Sequence, residues 1–429
     1  MVRTDEQGPP VRPRAAKPFP LERRSAAADS VRTRGDRVAL VESVAGWVPP
    51  RRVTNDALPA HWGVDDAWVR TRTGIGARHR SGPGVSTGDL AYEAARRLLE
   101  RAGRPRVDAL VLATATPDHP CPATAPAVAA RLGLGSVAAV DVSAVCSGFI
   151  YGLACAQGLV AAGIAERVLL AGADTYSGWL DPDDHRSGVV FGDGAGAALV
   201  AAGPAGAPGE LLGFDLGSDG TGHDLITVAG GGSRARSVPG PAGPGDGYFR
   251  MRGAAVYQQA VERMTGSCRA LLAKLGWDAG QVDHFVPHQA NARILRAVAG
   301  RLGIDPARCV THLDRVGNTG AASIPLALAD ADARGALRTG DRVLLTAFGG
   351  GLTWGSAALR WAGTPVAPGS GTAAATAAAA ATATAAAPAP AVSVTTASRT
   401  AATAAASATT ASRTTAARPA AAALSEELS

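Results

Sequence analysis

Cysteine is sparse in this sequence of 429 residues, and it shows no metal-binding spacing. The five cysteines stand at positions 121, 146, 155, 268 and 309, an odd number without a CxxC pair. A disulfide framework or a structural zinc site needs cysteines that are paired or closely spaced. The pattern therefore predicts a reduced, cytoplasmic protein without a metal site.

Features that would direct the chain to a membrane are also scarce. The N-terminal segment is rich in Arg and Pro and lacks the apolar stretch of a signal peptide. Residues 142–165 carry no formal charge and are numerous enough to span a bilayer. They include serine, glutamine and several glycines, and they lie among alternating strand and helix patterns. We therefore expect a buried central helix there and no membrane contact.

Charge of one sign is not concentrated in the middle of the chain. The formal net charge is +6, of which residues 1–36 carry +3 and residues 364–429 carry +1. The region between them keeps only +2, which argues against a nucleic-acid-binding face. A modest basic patch for an acidic carrier or a phosphate remains compatible with this balance.

Both ends of the sequence differ in composition from its middle. Residues 1–36 are polar and rich in Arg, Pro and Ala, which predicts a disordered extension. Residues 364–429 are almost entirely Ala, Thr, Ser and Pro and have no amphipathic face, which predicts a flexible tail. A linker to a carrier or to another enzyme is the alternative interpretation of the C-terminal segment.

The middle of the chain repeats itself. Three short sequences recur in the same order: 107–110 at 282–285, 167–170 at 342–345, and 131–134 at 301–304. The first two pairs are 175 positions apart and the third 170, which indicates two duplicated halves. We place these halves at residues 37–205 and 206–363.

Each half alternates short apolar segments with longer amphipathic ones. Strands are predicted at 107–116, 138–144, 167–173, 282–288, 309–313 and 341–348, and helices at 123–133, 146–163, 254–276, 292–303 and 321–335. Alternating elements with fully apolar strands predict an α/β protein. Two such halves packed face to face form a five-layer αβαβα fold with helices between two sheets.

Cys146 is the candidate nucleophile. It lies in DVSAVCSGF (141–149), after a predicted strand and at the start of an apolar helix. A helix N-terminus has unpaired N–H groups and a positive dipole, which lower the pKa of a thiol. The alternative is an inert buried cysteine, the usual state of a lone cysteine.

Three further motifs lie in the second half. His288 ends a predicted strand in VPHQAN (286–291), Asn318 lies in VGNTGAAS (316–323), and AFGGGLTWGSA (347–357) places three glycines after a strand. Glycines allow backbone N–H groups to approach a ligand closely. A hydrogen-bonded structural histidine and a simple Asn turn are the alternatives. The sequence FGDGAG (191–196) lacks the lysine of a P-loop and is interpreted as a turn before a strand.

Together, the four motifs resemble the β-ketoacyl-acyl-carrier-protein synthase III family over about residues 37–363. The resemblance implies a thiolase-like fold and a Cys146–His288–Asn318 triad, with the N–H groups of Cys146 and Gly350 as the oxyanion hole. The segment WVRTRTGI (68–75) resembles the family's coenzyme A site. It implies binding by Trp68, Arg72 and Thr73.

Related families are distinguished by single residues. Degradative thiolases have a second cysteine in the C-terminal glycine loop, which is absent from 348–356. Elongating synthases use two histidines, where this chain has Asn318. Chalcone-type synthases share the Cys-His-Asn set but end in a different glycine motif. Synthase III therefore fits the motifs best.

The chain also departs from the family pattern. Cys121 stands where the family often has a large aromatic residue that reaches into the acyl pocket of the partner subunit. Ala254 replaces a common Asn, and Arg186 is shifted by one position. We assign Cys121, Tyr257 and Leu352 to the acyl pocket.

The resemblance implies decarboxylative condensation of an acyl-CoA primer with a malonyl carrier thioester through an acyl-Cys intermediate. Fatty-acid or polyketide chains would begin in this way. The implied partners are an acyl carrier protein, docked at Arg293, and a second copy of the chain; no cofactor is implied. Acyl transfer to an oxygen or nitrogen nucleophile in specialised metabolism is the alternative. A catalytically inactive subunit is disfavoured because all three triad residues are present.

Overall fold

The computed structural model describes residues 37–238, 243 and 245–363. The predictions made for the two ends, 1–36 and 364–429, lie outside the described residues. The described part contains both predicted halves within one compact unit.

Strands and helices alternate along the chain. The strands are β1 (Arg37–Trp47), β2 (Arg52–Thr54), β3 (Ala77–His79), β4 (Ala109–Ala113), β5 (Ala138–Val142), β6 (Arg167–Thr175), β7 (Asp193–Pro204), β8 (Leu211–Ser218), β9 (Ile226–Val228), β10 (Phe249–Met251), β11 (His284–Pro287), β12 (Arg342–Gly349) and β13 (Thr353–Arg360). The helices are α1 (Asp66–Thr73), α2 (Thr87–Arg101), α3 (Ala125–Arg131), α4 (Gly148–Ala161), α5 (His185–Gly188), α6 (Ser233–Arg236), α7 (Gly253–Leu275), α8 (Ala292–Leu302), α9 (Leu313–Val316) and α10 (Ser323–Ala333).

Two larger sheets organise the fold. One has the strand order β1-β7-β6-β4-β5 and the other β11-β12-β13-β8. The central strands are apolar on both faces because each sheet is covered by helices on both sides. In β4, for example, Ala109 and Val111 join one hydrophobic cluster, whereas Leu110 and Leu112 join another.

The predicted duplication is visible in the strand pairing. In the first sheet Leu110 of β4 pairs in parallel with Leu169 of β6. In the second sheet Phe285 of β11 pairs in parallel with Leu344 of β12. Each residue of the second pair lies 175 positions after its counterpart in the first pair. The repeated sequences therefore occupy equivalent places in the two sheets. The antiparallel neighbours β7 and β13 continue the correspondence.

Three hydrophobic clusters separate five layers. One lies between α2, α3 and the first sheet. The largest surrounds α4 and α10 between the two sheets. The third lies between the second sheet and α7 with α8. The predicted αβαβα arrangement is therefore confirmed, and α4 and α10 are its buried central layer.

One predicted strand does not form. Residues 309–313 make a single bridge, between Cys309 and Phe285, and Leu313 already begins α9. The side chain of Gln289 replaces the missing strand ladder. Its carbonyl oxygen accepts hydrogen bonds from the N–H groups of His312 and Leu313, at 2.8 and 3.2 Å. Its amide donates to the carbonyl of Val310 at 3.1 Å. Beyond the single bridge, the backbone of this segment is thus satisfied by a side chain instead of a strand ladder.

The apolar stretch 142–165 forms the buried helix α4 rather than a membrane span. Within the described ranges, no helix has both the length and the apolar composition required to cross a bilayer.

Candidate active site

Cys146 lies in a tight turn between β5 and α4. Residues 145–147 form one 3-10 turn, and α4 begins directly afterwards at Gly148. The Ser147 hydroxyl donates to the carbonyl of Ala144 at 2.7 Å, and the Thr353 hydroxyl donates to the same carbonyl at 3.1 Å. The turn is thereby fastened to the C-terminal glycine loop. This placement agrees with the predicted helix start within two residues.

The residue before Cys146 has an unusual backbone. Val145 has a φ of 48°. A β-branched residue in the left-handed region is strained, and such residues cluster at functional sites. The strained turn presents Cys146 to a cavity that Val145 also lines.

The ionisation of Cys146 differs from the sequence prediction. Burial raises the pKa of its thiol to about 12, and the charge of Asp174 acts in the same direction. A hydrogen bond with Tyr176 opposes this shift. The helix N-terminus alone predicted a lowered pKa, so that prediction is wrong for the free enzyme. The thiol is therefore protonated at neutral pH.

His288 follows β11 and is 3% exposed. Its main chain is fixed by an N–H bond to the Thr346 carbonyl at 2.7 Å. Its Nδ1 lies 2.6 Å from the hydroxyl of Ser323, the first residue of α10. Burial lowers the pKa of His288 to about 3. The imidazole is therefore neutral at physiological pH, with Nδ1 engaged and Nε2 available to a ligand.

Asn318 is held by both its main chain and its side chain. Its N–H donates to the Val190 carbonyl and its carbonyl accepts from Gly192, each at 2.9 Å. Its side-chain oxygen accepts from the N–H of Gly320 at 3.0 Å. Because the oxygen is occupied, the Nδ2 group is the one left to donate into the cavity.

The glycine loop approaches the main chain of Cys146 very closely. A Cβ on Gly349 would lie 2.8 Å from the backbone nitrogen of Cys146 and 3.2 Å from that of Ser147. Only glycine fits there without displacing the turn at residues 145–147. The predicted oxyanion donor Gly350 is the next residue of the same loop.

One cavity of about 460 Å³ brings the three predicted residues together. Cys146, His288 and Asn318 all line it, although they come from both halves of the chain. Much of the remaining wall is apolar and includes Phe191, Ile226, Phe249, Met264 and Phe348. The cavity therefore combines a thiol and two fixed hydrogen-bonding side chains with space for a hydrocarbon chain.

The cavity continues towards a charged mouth. A second, outer cavity shares Met251, Gly253 and Ala254 with it and is also lined by Arg186, Arg250 and Arg252. Arg250 and Arg252 pair with Asp181 and Asp224, at 3.0 and 2.7 Å. Arg186 is exposed. Ala254, the position that departs from the family pattern, lies where the two cavities meet.

Two family models match the chain. One is described as 3-oxoacyl-[acyl-carrier-protein] synthase III and matches residues 140–220; the other is its C-terminal part and matches 272–361. A β-ketoacyl-[acyl-carrier-protein] synthase III of Streptomyces coelicolor is 59% identical over 314 residues, which are 73% of this chain and 94% of that protein. A Pseudomonas aeruginosa synthase III is 50% identical over 325 residues, 76% of this chain and 97% of the relative. The chain belongs to the β-ketoacyl-acyl-carrier-protein synthase III family.

Solved structures agree with the synthase III assignment. The 3-oxoacyl-(acyl carrier protein) synthase III of P. aeruginosa superposes with a TM-score of 0.70 at 49% identity and covers 76% of this chain and 98% of its own. The priming β-ketosynthase of the R1128 polyketide pathway gives 0.71 at 31% identity, covering 79% and 100%. The predicted resemblance and thiolase-like fold are confirmed.

The residues predicted to bind coenzyme A in this synthase all lie on α1. The Arg72 guanidinium lies 4.4 Å from the centre of the Trp68 ring, and the His185 ring meets Trp68 edge-on at 5.9 Å. Thr73 is buried, and its hydroxyl donates to the Val69 carbonyl at 2.7 Å. Trp68 and Arg72 thus offer an aromatic face and a cation, whereas the Thr73 hydroxyl already has an acceptor. The His185 ring flanks Trp68.

The three residues predicted for the acyl pocket of the synthase do not all line the cavity that contains Cys146. Tyr257 lines the cavity beside Arg293, whose guanidinium lies 5.8 Å from the Tyr257 ring centre. Leu352 lines a different cavity with Asp219, because its N–H and carbonyl pair with that residue's main chain. Cys121 is exposed and does not line the cavity of its own chain.

Sequence reasoning missed several residues that shape this synthase site. Asp174 is fully buried, and it accepts hydrogen bonds from the Ala115 N–H at 2.8 Å and from the Ala321 N–H at 2.7 Å. The carboxylate thus ties the Asn318 loop to the first half, and burial raises its pKa to about 6. Tyr176 and Ser323 touch Cys146 and His288 respectively. Ser323 is the last residue of the VGNTGAAS motif, although no role was assigned to it, and Tyr176 lies outside all of the motifs.

Among the described residues, no cluster of three His, Cys, Asp or Glu side chains could hold a metal ion.

Proposed function

We propose that this chain is a priming β-ketoacyl-acyl-carrier-protein synthase, which condenses an acyl-CoA with a malonyl carrier thioester. The observation that carries the proposal is the single cavity in which Cys146, His288 and Asn318 meet beside an apolar wall. A thiol supplies the acyl acceptor, two neutral donors supply enolate stabilisation, and the wall receives the primer chain.

The first half-reaction transfers the acyl group to Cys146. The sulfur attacks the thioester carbonyl carbon, the carbon–sulfur bond to coenzyme A breaks, and the thiol proton ends on the departing coenzyme A. The oxyanion would accept hydrogen bonds from the N–H groups of Cys146 and Gly350. Because burial raises the pKa of Cys146 to about 12, donors to the developing negative charge are essential to this step.

The second half-reaction consumes the malonyl thioester. The bond to its carboxylate breaks, carbon dioxide leaves, and the electron pair forms an enolate whose oxygen accepts from His288 Nε2–H and Asn318 Nδ2–H. The enolate carbon then attacks the acyl carbon, and the bond to the Cys146 sulfur breaks. A 3-oxoacyl-carrier thioester and the free thiolate result. Neutral His288 suits this task because the Ser323 hydroxyl can donate to Nδ1 and keep the ring proton on Nε2.

Residues at and beyond the edge of the cavity suit the coenzyme A and carrier-protein parts of the substrates. Coenzyme A would place its base against Trp68 and a phosphate against Arg72, and pantetheine would pass Ala254 to reach Cys146. Exposed Arg293 at the cavity edge is a docking contact for an acidic carrier protein. No cofactor takes part in either half-reaction.

A homodimer in the cytoplasm completes the proposal. Strand β5 forms one edge of its sheet, and Val140 on it is 50% exposed. An exposed apolar sheet edge is a template for pairing with another chain. Exposed Cys121 is then available to the cavity of a partner subunit rather than to its own.

Product analysis tests the function. With acyl-CoA and malonyl carrier protein, each turnover is expected to yield one 3-oxoacyl carrier, one carbon dioxide and one coenzyme A. Transfer of the acyl group to hydroxyl or amine acceptors without carbon dioxide release would instead establish the alternative acyltransferase.

Primer choice provides a second prediction. If Cys121 replaces a larger side chain in the partner's pocket, the pocket is deeper and hexanoyl- or isobutyryl-CoA should be preferred over acetyl-CoA. Each additional buried methylene contributes about 0.8 kcal/mol, or roughly fourfold in kcat/KM. Cys121→Phe should shift the preference towards acetyl-CoA, whereas the size-conserving Cys121→Ser should not. An unchanged preference in Cys121→Phe would remove Cys121 from the pocket.

A further inference from the structure

Tyr176 follows strand β6 and carries a hydroxyl into the centre of the protein. It is 1% exposed, and it lines the same cavity as Cys146. Its ring stacks on Phe191 at a centroid distance of 4.8 Å and meets Phe249 edge-on at 5.7 Å. Two aromatic neighbours thus fix the ring, and its hydroxyl has little freedom to move.

The Tyr176 ring lies against Gly320, in the loop that carries Asn318. A Cβ on Gly320 would collide with the ring carbon Cε2 of Tyr176 and with the carboxylate of Asp174. Gly320 also has a φ of +57°. Both the close contacts and the left-handed backbone therefore require glycine at this position. On the other side, Tyr176 lines the same cavity as Cys146, and its hydroxyl acts to lower the pKa of the Cys146 thiol.

The Tyr176 hydroxyl keeps its proton in this environment. Burial raises the pKa of the phenol well above its ordinary value, and negative charge on a Cys146 thiolate or on Asp174 raises it further. A phenol that does not ionise is a donor to a neighbouring anion rather than a base. Asp174 disfavours negative charge on the sulfur, and neutral His288 adds no positive charge to offset it.

We propose that the Tyr176 hydroxyl donates a hydrogen bond to the Cys146 sulfur and stabilises the thiolate that forms during acylation. The assignment deepens the proposed function by adding a side-chain donor to its first half-reaction. Once the sulfur is acylated it carries no charge, so the contribution belongs to acylation and not to decarboxylation.

Alkylation of Cys146 by iodoacetamide tests this directly, because it reports the thiolate without any substrate. Rates at Cys146 would be followed between pH 7 and 9 by mass spectrometry of its peptide. Losing the donor should raise the thiol pKa by about one unit, and the greater intrinsic nucleophilicity of the less stabilised thiolate partly compensates. Tyr176→Phe is therefore expected to react about threefold more slowly at each pH.

Two further variants separate hydrogen bonding from packing. Site-specific 3-fluorotyrosine at position 176 keeps the shape but is a stronger donor, so alkylation should become faster than in the parent. Tyr151→Phe is the matched control, because it removes a hydroxyl on α4 that donates to the Gly217 carbonyl instead. Its alkylation rate should equal that of the parent.

The outcomes decide the proposal. Slower alkylation in Tyr176→Phe together with faster alkylation in the fluorinated protein supports it. Parent-like rates in both, or slower rates in both, would overturn it and leave Tyr176 a packing residue. If Tyr176→Phe fails to fold, the fluorinated protein alone decides. Loss of condensation with the alkylation pattern intact would count against the proposed function and not against this donor.

Discussion

Replacing Cys146 with alanine should abolish both acylation by acyl-CoA and condensation. Cys146 is the cysteine that meets His288 and Asn318 in the cavity, and the proposed chemistry has no other acyl acceptor. Intact-protein mass spectrometry after incubation with acyl-CoA would measure the acylation.

Cys155→Ala is the matched control for that experiment. Cys155 lies on the same helix α4, but its side chain is exposed. Partial desolvation still raises the pKa of its thiol. Its removal should leave acylation and condensation at parental rates. Acyl labelling of Cys146→Ala at Cys155, or at any other cysteine, would contradict the assignment of the nucleophile.

The second large effect is expected for Asn318→Ala, which should separate the two half-reactions. Cys146 should still be acylated in this variant. In the proposed mechanism the Asn318 side chain donates to the enolate oxygen and not to the oxyanion formed during acylation. Decarboxylation of malonyl carrier protein should fall by about 10²–10³, the usual loss for one oxyanion donor. Stopped-flow acylation and carbon dioxide release would be measured on the same preparation.

Asn318→Asp sharpens that test. Aspartate keeps an oxygen that can accept from the Gly320 N–H, so the loop retains its hydrogen bond. It lacks the Nδ2 donor and adds negative charge beside the developing enolate. A comparable or larger loss of decarboxylation is expected. Normal decarboxylation in either variant would reduce Asn318 to a turn residue.

Much of the fold could be predicted because its signals are local or periodic. The 175-residue spacing that relates Leu110 to Phe285 is written in the sequence, and it survives as equivalent pairing in two sheets. The strand at 309–313 was predicted from apolar residues alone. Its absence depends on one amide, that of Gln289, whose contacts span more than twenty positions and have no periodic signature.

The candidate site also combines features that local sequence predicts with features that depend on distant parts of the chain. Cys146, His288 and Asn318 could be found because each lies in a motif at a strand or helix end. The pKa of Cys146 could not be predicted, because the helix start is local whereas burial depends on the packing of both halves. Asp174 and Tyr176 were missed for a similar reason, since their partners Ala321 and Cys146 are distant in sequence.

The most direct test of the central claim is a chase of the isolated acyl-enzyme. The chain would be acylated with labelled acyl-CoA, freed of excess substrate, and mixed with malonyl carrier protein. The label is expected to leave Cys146 at the same rate as carbon dioxide and labelled 3-oxoacyl carrier appear, one for one. Label that remains on Cys146 while carbon dioxide is released, or that leaves without any release, would contradict condensation through this cysteine.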